Sequence, residues 1–411
     1  MLVALRVTKR ATNDEALKSI HQILVQESQN FISSIPPTNT GMRPKTARLQ
    51  NMLNCRAQSK GLAGGESQSY WSNTTCSPSP SPDIAQDAST RICAHLAGKR
   101  IVFVGPLTTY HLHNLWLEAL EAHDGHPFNC PGPEFCIFHH ICYPGRNGSS
   151  YLDGDKQRFP KNQELRDTQS AVLQYVLSSS LVANRNKNDY LYTRPVMDPR
   201  TNMRMRNYYW LRKARKANVL ILSQAPVPAP PTTYAQYRAG EWKPCLSRLL
   251  PNFWTAPTLK EDIVSLALNV TFSVFLPSVR DVIHAIQMDN QIRNTLTIWH
   301  GHWPLEPRCT NAGLPQHLPR LEQFWTSKRD RVDPWTFYYN IQIHIQDYIL
   351  PRILPHFDVL YLPISVPPGE PEVIPALDPY ARKDCARNAR ENLESAFFSS
   401  LFEILNTERL S

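Results

Sequence analysis

Lys99-Arg-Ile-Val-Phe-Val-Gly105 is a short apolar run that ends in glycine, and the turn Pro106-Leu107-Thr108-Thr109 leads directly out of it. Such a run reads as a buried strand. Beyond the turn, Leu112, Leu115, Trp116, Ala119 and Leu120 recur at i, i+3, i+4, i+7 and i+8, the spacing of one apolar helical face. A buried strand passing through a tight turn into an amphipathic helix is the opening unit of an α/β fold. Thr108 or Thr109 suits the helix N-cap, where a hydroxyl accepts from an amide of the first turn.

The same rhythm continues along the chain. The pattern predicts a helix over Gln163 to Leu181 and a second buried strand at Asn218-Val-Leu-Ile-Leu-Ser223, broken by the proline-rich Ala225-Pro-Val-Pro-Ala-Pro-Pro231. Leu259 to Asn290 reads as helical around Pro277, Thr295-Leu-Thr-Ile-Trp299 as a third strand. Asp333-Pro334 supplies an N-cap with proline at the first helical position, for a helix to about Leu350. Asp358-Val-Leu-Tyr-Leu362 is a fourth strand, and a final helix over Ala389 to Leu405 buries Leu393, Phe397, Leu401, Ile404 and Leu405. Buried strands alternating with helices imply a mostly parallel sheet covered on both faces, a single α/β domain over residues 91–411. Working groups in such sheets gather beyond the carboxyl ends of the strands. Those ends are Gly105–Thr109, Ser223–Gln224, His300–Trp303 and the loop after Leu362.

Residues 1–90 read as a poorly ordered arm. It holds one weak amphipathic helix, Asp14 to Gln29, and the tract Cys76-Ser-Pro-Ser-Pro-Ser-Pro-Asp83, which favours extended linker conformations. Of the 411 residues, 42% are apolar and 19% charged, which excludes a wholly disordered chain. No run of 18 apolar residues occurs, so Ile263 to Leu276 reads as a buried helix and no transmembrane span is expected. The 44 Lys and Arg against 35 Asp and Glu give a net charge of +9, which permits a polyanionic partner without requiring one.

Compartment signals point both ways. There are nine cysteines and three N-x-[S/T] sequons, at Asn73, Asn147 and Asn269, so a glycoprotein is one reading. The first residues, Met1-Leu-Val-Ala-Leu-Arg6, lack an apolar signal region, so the secretory pathway and an intracellular location are both expected readings.

Leu96-Ala-Gly-Lys-Arg-Ile-Val-Phe-Val-Gly105, with its hydroxyl-bearing turn and Trp/Leu helix, resembles the opening of the PC-esterase branch of SGNH hydrolases, which includes the trichome-birefringence-like polysaccharide O-acetyltransferases. There the segment runs roughly L-x-G-K-x-I-x-F-x-G-D-S and the serine is the acyl nucleophile. Lys216 to Ala225 resembles the family strand that ends in Asn-x-Gly, Trp299-His-Gly-His-Trp303 lies where the family has a strand ending near histidine, and Asp384-Cys-Ala-Arg387 aligns with its D-x-x-H pair. The resemblance covers about residues 96–405. It implies a three-layer α/β/α domain of SGNH/flavodoxin-like type, a carbohydrate or acyl ligand, and no cofactor or metal.

The departures from that pattern are chemical. Gly105-Pro106-Leu107 replaces Gly-Asp-Ser, Ser223-Gln224-Ala225 replaces the oxyanion donors, and Arg387 replaces the histidine. Arginine stays protonated and cannot serve as a base. The resulting expectation is a catalytically degenerate pseudoenzyme with a binding or regulatory role. Gly105, Ser223, Gln224, His300, Trp303 and Arg387 would line its ligand. An alternative retains acyl esterase or O-acyltransferase chemistry, with Thr108 or Thr109 as nucleophile, His111 or His113 and His300 or His302 as bases, and Asp384 as the acid. A third reading is an intracellular interaction protein working through its basic segment.

Three further clusters have plainer readings beside their functional ones. Cys130, Cys136, His139, His140 and Cys142 fall within thirteen residues, but without the C-x2-C spacing that clamps zinc. A structural disulfide, buried thiols, a metal site and a catalytic role are the alternatives there. Trp299-His300-Gly-His302-Trp303 suits sugar stacking or a displaced base, or packs as an aromatic strand end. Arg200, Arg204, Arg206, Arg212, Lys213, Arg215 and Lys216 form a basic run interleaved with Tyr208, Tyr209 and Trp210. With no nucleic-acid-binding fold beside it, this run reads as a solvated face, and nucleic acid is not the expected partner.

Overall fold

The structure is a computed structural model, and it describes residues 13–34, 44–59, 88–119, 128–129, 136–142, 160–178, 180–192, 210–233, 242–243, 259–292, 295–302, 334–363 and 404. Among the described residues seven strands form one sheet: β1 (Arg100–Gly105), β2 (Phe128–Asn129), β3 (Cys136–Ile141), β4 (Ala171–Leu177), β5 (Val219–Leu222), β6 (Leu296–His300) and β7 (Val359–Leu362), in the order β2-β3-β4-β1-β5-β6-β7. The pairs β4/β1, β1/β5, β5/β6 and β6/β7 are parallel, and β2/β3 and β3/β4 are antiparallel. The chain is therefore α/β with a mostly parallel mixed sheet. Its direction of winding reverses at β1: the chain leaves β1 for β4 on one side, then returns past it to β5 on the other.

Alternation along each strand sorts the core into two clusters. Val102, Val104, Leu220, Leu222, Trp299 and Tyr361 share a cluster with residues of α1 (Asn13–Ser34), α6 (Leu211–Ala214), α7 (Leu259–Val270), α8 (Leu276–Gln287) and α9 (Pro334–Ile353). Ile101, Phe103, Ile221, Ile298, Leu360 and Leu362 face α2 (Pro44–Ser59), α3 (Ala88–Leu96) and α4 (Leu107–Ala119). Burying residues on both faces explains why these strands read as continuous apolar runs. At the amino end of β1, buried Arg100 ties three segments together. Its Nε donates to Asn162 Oδ1 at 2.7 Å and its Nη2 to the Pro160 carbonyl at 2.5 Å, while its amide donates to Asn218 Oδ1 at 2.8 Å.

Several expectations are corrected. Gln163 to Leu181 is not a helix: α5 covers only Asn162–Asp167, and Ala171–Leu177 is β4, the parallel neighbour of β1. Gln169, at φ 54°, turns the chain between them. The apolar run after it is as compatible with a buried strand as with a helix, and pairing with β1 decides the outcome. Within the Cys130–Cys142 stretch, for which a structural disulfide is one of the alternatives, Cys136–Ile141 is strand β3. Cys142 at its end is bonded to Cys93 on α3, outside that stretch. The span read as an arm contributes α1 and α2 to the two faces of the sheet, through Ile20, Leu24 and Phe31 and through Leu49 and Leu53. The Ser-Pro tract lies outside the described residues, as do Tyr208, Tyr209 and, apart from buried Ile404, the last helix.

Pro277 does not break its helix. A π-helical turn at Thr271–Phe275 joins α7 to α8 immediately before it. Proline lacks an amide hydrogen and its ring crowds the carbonyl four residues back, and the wider turn absorbs both problems. The continuous helix Leu259–Gln287 is long and apolar enough to cross a membrane by length and composition, with 56% of its most apolar window buried inside the protein. At the far edge of the sheet, Gln50 of α2 pairs with the main chain of β7. Its amide donates to the Tyr361 carbonyl at 3.0 Å and its oxygen accepts from the Tyr361 amide at 2.7 Å.

The Cys93–Cys142 disulfide spans a sequence separation of 49 and fastens α3 to the end of β3. By loop-closure entropy, a bond closing such a loop stabilises the folded state by about 4 kcal/mol. Reductant is expected to lower the urea midpoint of the wild-type protein, and to lower that of Cys93→Ser by less. Equal midpoints for wild type with and without reductant would contradict this.

Candidate functional site

β1, β5 and β6 run parallel, so their carboxyl ends meet at one edge of the sheet. There the turn after Gly105, the Ser223–Gln224 pair and the His300–Gly301–His302 segment come together. Gly105 makes this possible. A Cβ at that position would collide with the Thr109 hydroxyl, stand 2.9 Å from Thr109 Cβ and 3.0 Å from the Ser223 carbonyl. Tyr175 of β4 closes the other side, its hydroxyl within 3.1 Å of the Gly105 carbonyl and 3.2 Å of that of Pro106.

Neither threonine is an N-cap. The amides of Thr109 and Tyr110 close the first turn on the Pro106 carbonyl, which puts both hydroxyls inside α4's opening turn. Each hydroxyl instead meets an imidazole at the end of β6 or two residues beyond it. Thr109 Oγ1 lies 3.0 Å from His300 Nε2, and Thr108 Oγ1 lies 3.4 Å from His302 Nδ1. The remaining contacts assign the tautomers. His300 Nδ1 is 2.7 Å from the Gly301 carbonyl, so it carries the hydrogen and Nε2 offers a lone pair to Thr109. His302 Nε2 is 2.8 Å from the Gln224 carbonyl and 3.0 Å from Ser223 Oγ, so it carries the hydrogen and Nδ1 accepts from Thr108. Ser223 completes the network by donating to the His300 carbonyl at 3.1 Å.

The two hydroxyl–imidazole pairs lie side by side, with ring centroids 6.0 Å apart. Thr109, His300 and Ser223 are fully enclosed and His302 is 2% exposed, whereas Thr108 is half-buried. Burial holds both rings neutral. It lowers His300 from 6.5 to about 3, aided by the neighbouring His302 and opposed by the Gly301 hydrogen bond. Burial likewise lowers His302 to about 4, against the Gln224 hydrogen bond. Neutral imidazoles that accept from hydroxyls have the protonation state of general bases. Among the described residues their other nitrogens are held by backbone carbonyls and Ser223, not by a carboxylate.

The structure therefore brings together Gly105, Thr108, Thr109, Ser223, Gln224, His300 and His302. His113 is elsewhere: its ring packs against Phe103, Tyr110, His139 and Tyr175, with burial lowering it to about 3. The side chain of His111, and Trp303, Asp384 and Arg387, lie outside the described residues. His139 and His140 point to different partners, His140 Nε2 to Ser170 Oγ at 2.5 Å, and no metal-binding group of three or more ligands occurs among the described residues.

Supporting residues escaped the sequence reading. Ser278, one turn beyond the π-helical segment, donates to Gln224 Oε1 at 3.0 Å. Buried Gln342 of α9 pairs with both main-chain groups of Val227, at 2.9 and 3.0 Å, fixing the proline-rich segment that leaves Gln224. Asp347 of α9 and Tyr361 of β7 pack against Gly301. Asp347 is the one acid in α9, which also carries Asn340, Gln342, His344, Gln346 and Arg352. Comparison with family models, with curated proteins and with solved structures returned no match.

Gly105→Ala is expected to lose about 1–3 kcal/mol through overpacking, read as a lower urea midpoint. A midpoint within error of wild type would remove the close-approach argument. The imidazoles give a signed pH dependence. Their folded pKa values lie below 6.5, so the unfolded chain binds more protons and stability falls as pH drops from about 6.5 through the folded values of about 4 and 3. Asp347, raised to about 7 by burial, acts oppositely; its contribution is present below 3.8 and lost as pH rises through 7. His300→Gln and His302→Gln should each flatten the acid limb of a stability–pH curve. An acid limb unchanged in the double variant would rule out buried neutral rings.

Proposed function

We propose that this chain is a divergent SGNH-like protein of PC-esterase type, with a three-layer α/β/α domain, whose site has lost efficient turnover and holds a carbohydrate or acyl ligand in a binding or regulatory role. The order of the parallel strands and the meeting of their ends beside β1 support the fold assignment, because ligands in doubly wound sheets bind where the winding reverses. One observation carries the functional reading. Both imidazoles have their hydrogen-bearing nitrogens committed to backbone carbonyls, where a hydrolytic triad uses a carboxylate to stabilise the imidazolium. The better-aligned hydroxyl, Thr109, is sealed from any substrate. Thr108 is the hydroxyl left at the rim to meet a ligand.

The Cys93–Cys142 bond supports an oxidising compartment, in keeping with a ligand outside the cytosol. Helix Leu259–Gln287 is read as a core helix, since its apolar residues pack on α9 and the sheet.

The contact between Thr108 and His302 favours a second reading, residual acyl transfer. Thr108 Oγ would attack the acyl carbon as its proton passes to His302 Nδ1. The imidazolium would return that proton to the departing alcohol, and water would release the acyl group. An activated acetyl ester separates the readings. The binding reading expects hydrolysis no faster in wild type than in Thr108→Ala or His302→Ala. An O-acetylated oligosaccharide should shift the amide signals of Gly105 and Thr108 in a titration. Turnover that falls about 100-fold or more in both variants would establish the enzyme instead. No shift with acetylated or unsubstituted oligosaccharide would remove the ligand class.

A further inference from the structure

Gly301 joins the two imidazole-bearing residues, and two other elements fill its surroundings. A Cβ there would stand 2.5 Å from the Tyr361 hydroxyl, 3.0 Å from Asp347 Oδ1 and 3.3 Å from Tyr361 Cζ. The Tyr361 hydroxyl donates to Asp347 Oδ1, so carboxyl and phenol form one unit against this peptide. The Gly301 amide donates to the Leu362 carbonyl at 2.9 Å, which pins the segment to β7, while its carbonyl takes the hydrogen of His300 Nδ1. A carboxyl group withdrawn from water is costly unless it is hydrogen-bonded.

We propose that Asp347 and Tyr361 are positioning residues: their joined carboxyl and hydroxyl pack against the Gly301 peptide, and through its carbonyl set the tautomer and tilt of His300. This rests on the reading above that the threonine–histidine cluster is the functional site. The arrangement is also responsive to protons. Burial raises the Asp347 carboxyl to about 7 against the pull of the Tyr361 hydrogen bond, and raises Tyr361 far above its usual range. The titratable groups around it are Tyr361 on β7, His300 and His302 flanking Gly301, and His344 and Tyr348 on its own helix; His21 of α1 meets Tyr348. Burial keeps His344 neutral, lowered to about 4, and also lowers His21, whereas it raises Asp347 to about 7.

Long-range proton–nitrogen spectra of the 15N-labelled full chain test the proposal, because they report which imidazole nitrogen carries hydrogen. The wild type should show His300 protonated at Nδ1 and His302 at Nε2, with His300 signals shifting around pH 7. Tyr361→Phe keeps the ring but removes the donor, and should change the His300 tautomer ratio by up to about tenfold, the net worth of one ordinary hydrogen bond. Asp347→Asn keeps an acceptor, so it should preserve the tautomers and abolish the shift around pH 7. Wild-type spectra and pH dependence in both variants would overturn the proposal. Should one variant fail to fold, the other decides by its own readout. These spectra need neither ligand nor turnover, so a protein that binds no acyl sugar would defeat the functional reading and leave this inference standing.

Discussion

The tightest constraint in the molecule is the approach of three backbone segments at Gly105. The turn after β1 must pass close enough to Ser223 and Thr109 that no side chain fits between them, and the Thr109 hydroxyl then reaches His300 on a strand two places away. Because β1 and β6 are not neighbours, this bond and the Ser223 bonds act across β5 and fix where all three strands end. Enclosure keeps the imidazoles neutral, neutrality makes one nitrogen of each an acceptor, and the backbone carbonyls decide which nitrogen that is. Packing, protonation and hydrogen-bond direction are consequences of a single missing Cβ.

Much of this was legible in the residues. β1, β5, β6 and β7 stood out because strands buried on both faces are short apolar runs bounded by Gly, Asn, Ser or Asp. Their carboxyl ends named Thr108, Thr109, Ser223, Gln224, His300 and His302 as neighbours before any distance was measured. Ala171–Leu177 reads as helix because a short, mostly apolar stretch interrupted by Gln174 fits either period, and its partner β1 lies some seventy residues away. The role of the threonines was half visible: a hydroxyl beside a proline looks like a cap, and only the tertiary arrangement shows that His300 and His302 take that hydrogen bond instead.

What lay beyond reach was the support. Ser278, Gln342, Asp347 and Tyr361 act on the site from helices and a strand whose relation to it depends on packing angles, and no local pattern encodes those. The Cys93–Cys142 bond is a similar case, since nine cysteines leave many pairings open and spacing does not choose among them. The π-helical turn before Pro277 belongs here too. It lets one helix continue through a proline and present Ser278 to Gln224, a link between irregular geometry and the site of the kind such turns often make.

The outer border of β7 carries a further implication. Gln50 offers Tyr361 one donor and one acceptor, the same pair of groups that a neighbouring peptide would bring. A side chain has thereby taken the rung that another copy's backbone would need for templated, fibre-like growth from that border. Among the described residues the other border is the two-residue β2, so each border offers a newcomer little backbone to pair with.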